Sequence, residues 1–309
     1  MEQFRTPILY LAFNRLDVVK KTFPIIVRQR PKKLFVAVDG PRTKEEKKKT
    51  DAVRKYILDS IDWKCEMKTR FLNKNLGCKN AVSLAVDWFF KNVKRGIILE
   101  DDCAPSESFF KFSEEMLNRY EKSSRVFSIN GYNFLKKLDI KESYYFSKYY
   151  GCWGWSTWRD RWFAQDKTLN DYINDVKTGK FKKIFKNPIE RIWAKSGFQD
   201  ALLGRVSAWD YSFGYWHFKN NGLCIKPKIN LLENIGFMKD STHTSGNFID
   251  NKFYCFRKYE LKFPLIHPKE IKVNSSDSRR FFLKILLRVF LKKIFFYRRL
   301  GNWVIFKKL

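Results

Sequence analysis

Histidine is the scarcest chemical resource of this chain, with three in 309 residues. So few imidazoles disfavour the His-rich ligation common in metal phosphohydrolases, although an acidic metal site remains open to that chemistry. The six cysteines stand at 65, 78, 103, 152, 224 and 255, and no two form a C-x-x-C pair. That spacing argues against a zinc site and against a disulfide framework, and it fits reduced thiols in a cytosol. No run of 18 apolar residues occurs, so no segment reads as a simple bilayer-spanning helix. The first seven residues, MEQFRTP, lack a signal-peptide pattern. No G-x-G-x-x-G follows the first strand-like run and no G-K-[ST] loop is present, which disfavours dinucleotide dehydrogenases and P-loop NTPases. There is no internal repeat. Acidic residues are also short, 32 against 62 Lys and Arg, leaving a net charge of +30. A field that strong favours a polyanionic partner: nucleic acid, an anionic membrane surface or a phosphorylated substrate.

What is present reads as alternating strands and helices. The apolar runs 7–13 (PILYLAF), 34–38 (LFVAV) and 96–100 (GIILE) predict buried parallel strands, and 65–72 a further one. Helical spacing follows over 16–29, from the charge run 43–51 on through Val53, Ile57 and Ile61, over 78–93 with Ala81, Leu84, Ala85, Trp88 and Phe89 inward, and over 106–121. Another strand is expected at 125–130. This alternation predicts βαβ units and a mostly parallel sheet with helices on both faces. After residue 130 the texture changes to aromatic, glycine-rich segments: strand-like 144–150, then GCWGWSTW at 151–158, a helix at 188–205, and Trp209-Asp210 before more aromatics.

Three strand ends carry polar residues: Asn14-Arg15, Asp39-Gly40 and Glu100-Asp101-Asp102. Three adjacent carboxylates at a strand mouth repel one another, and a divalent cation makes them tolerable. Hard oxygen ligands suit Mg²⁺ or Mn²⁺, which complete their shell with water and phosphate oxygens. Ligands of open α/β sheets sit at the carboxyl ends of strands. The triplet therefore reads as a metal–diphosphate site or, equally on its own, as an acidic loop with Asp102 capping the next helix.

Taken in order, these pieces resemble the GT-A-fold glycosyltransferases. Within them the chain is most similar to the inverting N-acetylglucosaminyltransferase of N-glycan processing and to bacterial nucleotide-sugar transferases. The resemblance spans roughly residues 6–250, with Asn14 departing from the family's Asp and with little to match over 132–150 and 160–190. It implies a Rossmann-like GT-A domain in two halves, 1–130 for the donor and 131–262 for the acceptor. It implies Arg15 at the donor diphosphate, Asp39 at the base, and Glu100 and Asp101 on sugar and ribose hydroxyls, with Asp102 on the metal. Gly154, Trp155 and Trp209 fall on the acceptor side, Asp210 is the general base, and His243 lies in a loop (240–247) that orders over the donor. The implied cofactor is Mn²⁺ or Mg²⁺, and the implied donor a nucleoside-diphosphate sugar, UDP-linked in most such enzymes.

Residues 279–309 carry ten Lys or Arg and no acid. Arg280, Lys284, Arg288 and Lys292 recur every four residues among Phe, Leu and Ile, which predicts a basic, greasy helix lying on an anionic inner membrane face. A last core helix is the alternative. With 263–309 as linker and tail, the functional expectation is a metal-dependent inverting glycosyltransferase building a bacterial surface glycan, such as lipopolysaccharide or capsule, on a lipid-linked acceptor. The rivals are a metal phosphohydrolase and a basic nucleic-acid-binding protein. The second lacks any RRM, HTH, KH or zinc signature, so no nucleic-acid partner is expected.

Overall fold

The apolar runs of the first hundred residues pair side by side. The structure, a computed structural model, describes residues 3–207, 209–236 and 256–287. Strands β1 (Ile8–Ala12), β2 (Lys33–Val38), β3 (Glu66–Phe71) and β4 (Arg95–Glu100) lie in the order β3-β2-β1-β4, all parallel. Helices α1 (Leu16–Gln29), α2 (Lys44–Asp59) and α3 (Gly77–Asn92) connect them. Beyond β4 the sheet takes in β8 (Trp155–Trp158), β6 (Val126–Asn130), β9 (Leu223–Pro227) and β7 (Tyr144–Ser147), giving eight strands of which β8 and β7 run antiparallel. This is a Rossmann-like mixed α/β architecture with helices on both faces. A second, two-stranded sheet joins β5 (Cys103–Pro105) to β10 (Leu232–Asn234) across the acidic triplet.

Alternation along each strand builds two cores. Ile8 and Tyr10, Leu34 and Val36, and Ile97 and Leu99 face α1, α2 and α4 (Glu107–Arg119). Leu9 and Leu11, Phe35 and Ile98 face α3, α5 (Arg159–Phe163) and α9 (Asp210–Lys219). A third, aromatic cluster around Phe181, Phe185, Phe198 and Tyr215 holds α6 (Asn170–Lys177), α7 (Lys180–Ile184) and α8 (Pro188–Leu202) against α9.

Three expectations change. Helix α3 is turned from its predicted face: Val82, Ala85, Val86, Phe89 and Phe90 are buried, while Leu84 is 42% exposed. Phe89 and Phe90 dictate this, since their rings fill the space beneath Leu9 and Phe35. The GCWGWSTW segment ends in a strand, β8, inserted between β4 and β6. The start of the basic tail is packed on the body, as the last-core-helix alternative has it. In the helix over 275–287, Ser147 Oγ donates to Asp277 Oδ2 at 2.5 Å, Phe281 stacks near Tyr149 at 4.2 Å, and Lys284 Nζ donates to Phe134 O. Lys284 thus faces protein, and residues 288–309 lie outside the described residues. Within the segment 263–309, Leu265 is also buried in the first core. Among the described residues no helix is long and apolar enough to cross a membrane.

Helix α9 is pinned by an internal histidine. His217 is fully buried, its Nδ1–H donates to Phe213 O at 2.7 Å, and its Nε2 accepts from Ser128 Oγ of β6 at 2.9 Å. Burial pushes its pKa down to about 4. The unfolded chain takes up this proton near 6.5 and the folded chain does not, so stability falls as pH drops from about 6.5 to about 4, by about 3 kcal/mol. His217→Gln is expected to flatten that acid limb in urea midpoints measured from pH 7 to 4.5.

Candidate functional site

From β1 the chain crosses to β2 on one side, whereas β4 lies on the other. The sheet therefore has its switch point between the carboxyl ends of β1 and β4, where a crevice must open. A cavity of about 500 Å³ occupies it. Asn14 and Arg15 line it from the end of β1, Asp39 from β2, Arg70 from β3, and Glu100, Asp101 and Asp102 from β4. Gly77 and Cys78 at the start of α3 close one wall, with Trp153, Ser207 and Asn234 contributing from the second half of the chain.

The acidic triplet is held in three ways. Arg15 Nη2 donates to Asp101 Oδ1 at 2.5 Å and to Asp102 Oδ2 at 3.2 Å. Thr22 Oγ1 of α1 donates to the backbone carbonyl of Asp101 at 2.8 Å and itself lies 2.8 Å from Tyr10 OH. Ile235 N donates to Asp102 O at 2.9 Å, which ties the triplet to β10. Burial raises the Glu100 and Asp101 carboxyls, and their acidic neighbours add to it, while Arg15 opposes. Burial, with the neighbouring carboxylates adding to it, pushes the thiol of Cys78 up to about 12, so it is inert at neutral pH.

Asp39 lines the cavity but is heavily engaged. Its carboxylate accepts from Gly40 N, Leu76 N, Gly77 N and Asn75 Nδ2 at 2.7–3.2 Å. Four donors fill the acceptor sites of one carboxylate. The anion thus sits on the N-terminus of α3 and fastens it to β2. Reading a base edge directly would require Asp39 to exchange one of those bonds.

Asp210 stands at the first turn of α9 and not on the cavity wall, yet near enough for its charge to raise Glu100. Cys152 Sγ lies 3.5 Å from its Oδ2. Burial raises the Asp210 carboxyl, opposed by a backbone N–H and by that thiol. Trp155 is fully buried and stacks on the buried Trp209 at 5.3 Å, so both support α9 from within. Neither of them lines the cavity, and among the described residues Trp153 is the tryptophan that does. Gly154 has φ +55° and its carbonyl accepts from Gly131 N at 2.7 Å. A Cβ there would meet Leu232 at 2.0 Å, which makes the glycine a packing requirement. His243 lies outside the described residues.

Arg70 and Asn234 escaped the sequence reading. Arg70 had a findable signal, since it ends a strand parallel to β2 and so reaches the same ligand edge. Its Nε is buried and without a hydrogen-bond partner.

Whether these residues suit a divalent ion can be judged from their oxygens. Asp101 Oδ2 is buried and unpartnered, and Asp102 Oδ1 has the Cys103 thiol at 3.8 Å as its neighbour. Hard oxygens of this kind fit Mg²⁺ or Mn²⁺. Among the described residues, however, no group of three or more His, Cys, Asp or Glu converges as a protein cage would. The fit is to an ion held on Asp102 and completed by a ligand's own oxygens.

No family model matches the sequence, and no characterised protein matches it. Among solved structures, the chain is similar to one assigned as a glucose-1-phosphate thymidylyltransferase from Bacillus anthracis, at 13% identity and a TM-score of 0.29, covering 40% of this chain and 53% of that one. It is also similar to the inositol-1-phosphate CTP transferase of T. maritima, at 12% identity and 0.27, covering 45% and 57%. A third is the 4-diphosphocytidyl-2C-methyl-D-erythritol synthase of Anaerococcus prevotii, at 10% and 0.31, covering 56% and 76%. These are nucleotidyltransferases. The chain spans little more than half the length of the first two, and likeness at this level establishes no shared activity.

Gly236 leaves the triplet its room, because a Cβ at that position would meet Asp102 Oδ2 at 2.3 Å. Gly236→Ala is expected to displace the Asp102 carboxylate and to weaken ligand-dependent metal binding, read by calorimetry, with little change in melting temperature. Thr22→Val removes the donor to a buried carbonyl and should lower stability by about 1–3 kcal/mol in denaturant unfolding.

Proposed function

We propose that this chain is a metal-dependent inverting glycosyltransferase. It would move a sugar from a nucleoside-diphosphate sugar, a UDP-sugar first among them, to a hydroxyl of a bacterial surface glycan or lipid-linked acceptor. The observation that carries the reading is the meeting of Arg15 with Asp101 and Asp102 at the switch-point crevice, with a fourth carboxylate, Asp210, in electrostatic reach.

Each group has a chemical task in such a transfer. Both carboxylate contacts of Arg15 go through Nη2, so the rest of its fork can bind the donor phosphates. Glu100 and Asp101 accept from sugar and ribose hydroxyls. A Mg²⁺ or Mn²⁺ ion on Asp102 supplies, when bound, positive charge against the departing diphosphate. Asp210 takes the proton of the acceptor hydroxyl as that oxygen attacks the anomeric carbon and the bond to the diphosphate breaks. One carboxylate suffices for inversion, and no covalent intermediate forms. Burial, by raising the Asp210 carboxyl, makes it a stronger base than a solvated aspartate. Association with an anionic inner membrane face belongs to the same reading, with residues 288–309 as its tail.

Three outcomes follow. Asp210→Asn should lower kcat by about 10²–10⁴ with donor binding retained. A rate near that of the parent would overturn the assignment of the base. The acid limb of kcat/KM should lie above the ordinary aspartate value of about 3.9, because the base works only when deprotonated and burial delays that. In a panel of nucleotide sugars, Mn²⁺ and nucleoside diphosphate together should raise the melting temperature more than the sum of each alone. Asp102→Ala should abolish that synergy without unfolding the protein.

A further inference from the structure

Charge on the helical annex is arranged differently from charge elsewhere. Between residues 176 and 199 the sequence carries Lys177, Lys180, Lys182, Lys183, Lys186, Arg191 and Lys195 against one acid, Glu190. That acid is turned inward: it is 6% exposed, pairs with Lys148 Nζ at 2.7 Å, and accepts from Tyr149 OH at 3.0 Å. The six lysines are exposed. Over this stretch, then, a surface of one sign faces solvent.

Large aliphatics stand among those lysines. Ile192 is 70% exposed and Ile189 is 51% exposed, and they lie three residues apart on one face of α8. The opposite face of α8, through Ala194, Phe198 and Ala201, fills the third core, so α8 has a completed inner side and an outer side left greasy and basic. Exposed aliphatics in a stretch rich in exposed lysines match an anionic lipid surface. The side chains enter the headgroup layer, and the lysine stems lie along it with their ammonium groups on the phosphates. Tyr149 links this corner to the helix over 275–287, since it packs on Trp193 of α8 at 6.2 Å and on Phe281 at 4.2 Å.

We propose that the outer face of α7 and α8 is a membrane-docking surface for anionic phospholipid, formed by the folded body and separate from residues 288–309. It stands independently of the glycosyl-transfer reading. A nucleic acid would find no stacking aromatic among the exposed groups of this face, and the two isoleucines would gain nothing from a phosphate backbone.

The test uses the full chain and sedimentation with vesicles of phosphatidylcholine, with and without phosphatidylglycerol. Binding is expected only where phosphatidylglycerol is present. The combined Lys180→Gln, Lys182→Gln and Lys183→Gln variant should lower the partition coefficient by about tenfold or more. Ile192→Asp alone should also lower it several-fold. A matched variant on α2, Lys44→Gln with Lys48→Gln and Lys49→Gln, loses the same charge and should stay within about twofold of the parent. Melting temperatures and circular dichroism, unchanged in all four proteins, confirm that folding is intact. Equal losses from the two lysine triples would reduce the effect to net charge and overturn the proposal. So would an unaltered Ile192→Asp, which would point to a purely electrostatic partner such as an acidic protein. Vesicle binding unaffected by any variant of α7 or α8 would assign it to the tail and overturn the proposal as well.

Discussion

Three adjacent carboxylates at the end of a buried strand are the constraint around which the structure is organised. Burial and mutual repulsion push Glu100 and Asp101 toward protonation. One guanidinium, that of Arg15, is the principal opposing charge. Placement matters as much as sign here. Arg15 closes the turn from β1 into α1 as the N-cap residue of that helix, so the strand pairing of β1 with β4 brings cation and anions together. A site assembled this way is held by the register of two parallel strands, and it retains carboxylate oxygens that favour a divalent ion.

Around that pair the second half of the chain serves as a clamp. Strand β10 returns to lie against β5, which places Gly236 beside Asp102 and Asn234 on the cavity wall. Helix α9 is held by the Trp155–Trp209 stack and by His217, and it brings Asp210 to the edge of the acidic cluster. Preorganisation of this sort is what charge-stabilising chemistry requires, because groups already fixed need not reorient when charge develops. The stability lost to crowded carboxylates is a familiar companion of such sites.

Much of the first half was legible because each buried strand is a continuous apolar run closed by polar residues. Helix α1 over 16–29 was read at its observed bounds. The polar strand ends came together around one cavity, since parallel strands all point their carboxyl ends the same way. Legibility failed where structure depends on partners distant in sequence. Strand β8 is short, starts beside a left-handed glycine, and is a strand only because β4 and β6 flank it. The β5–β10 pair joins residues far apart in the chain, and neither three-residue segment has a periodicity to detect. The face of α3 was misjudged because its apolar residues nearly encircle it, and the choice between Leu84 and Phe90 is made by the space under β1 and β2. The roles of Trp153 and Trp155 could not be told apart by pattern, since Trp153 lies in the bend before β8, Gly154 turns the chain between the two at φ +55°, and the strand itself went unread.

Lys226 of β9 has a bearing on where this protein can be shortened. Its ammonium is buried without a hydrogen-bond partner and rests between the rings of Phe134 and Phe281 at 5.3 and 5.1 Å. Phe281 comes from the helix over 275–287, so the basic, greasy end of the chain supplies half of the shelter for a charge in the body. A truncated version cut before residue 275 would lose Phe281 and so open one side of that shelter, while Val273 and Asn274 would still pair with Phe146 of β7.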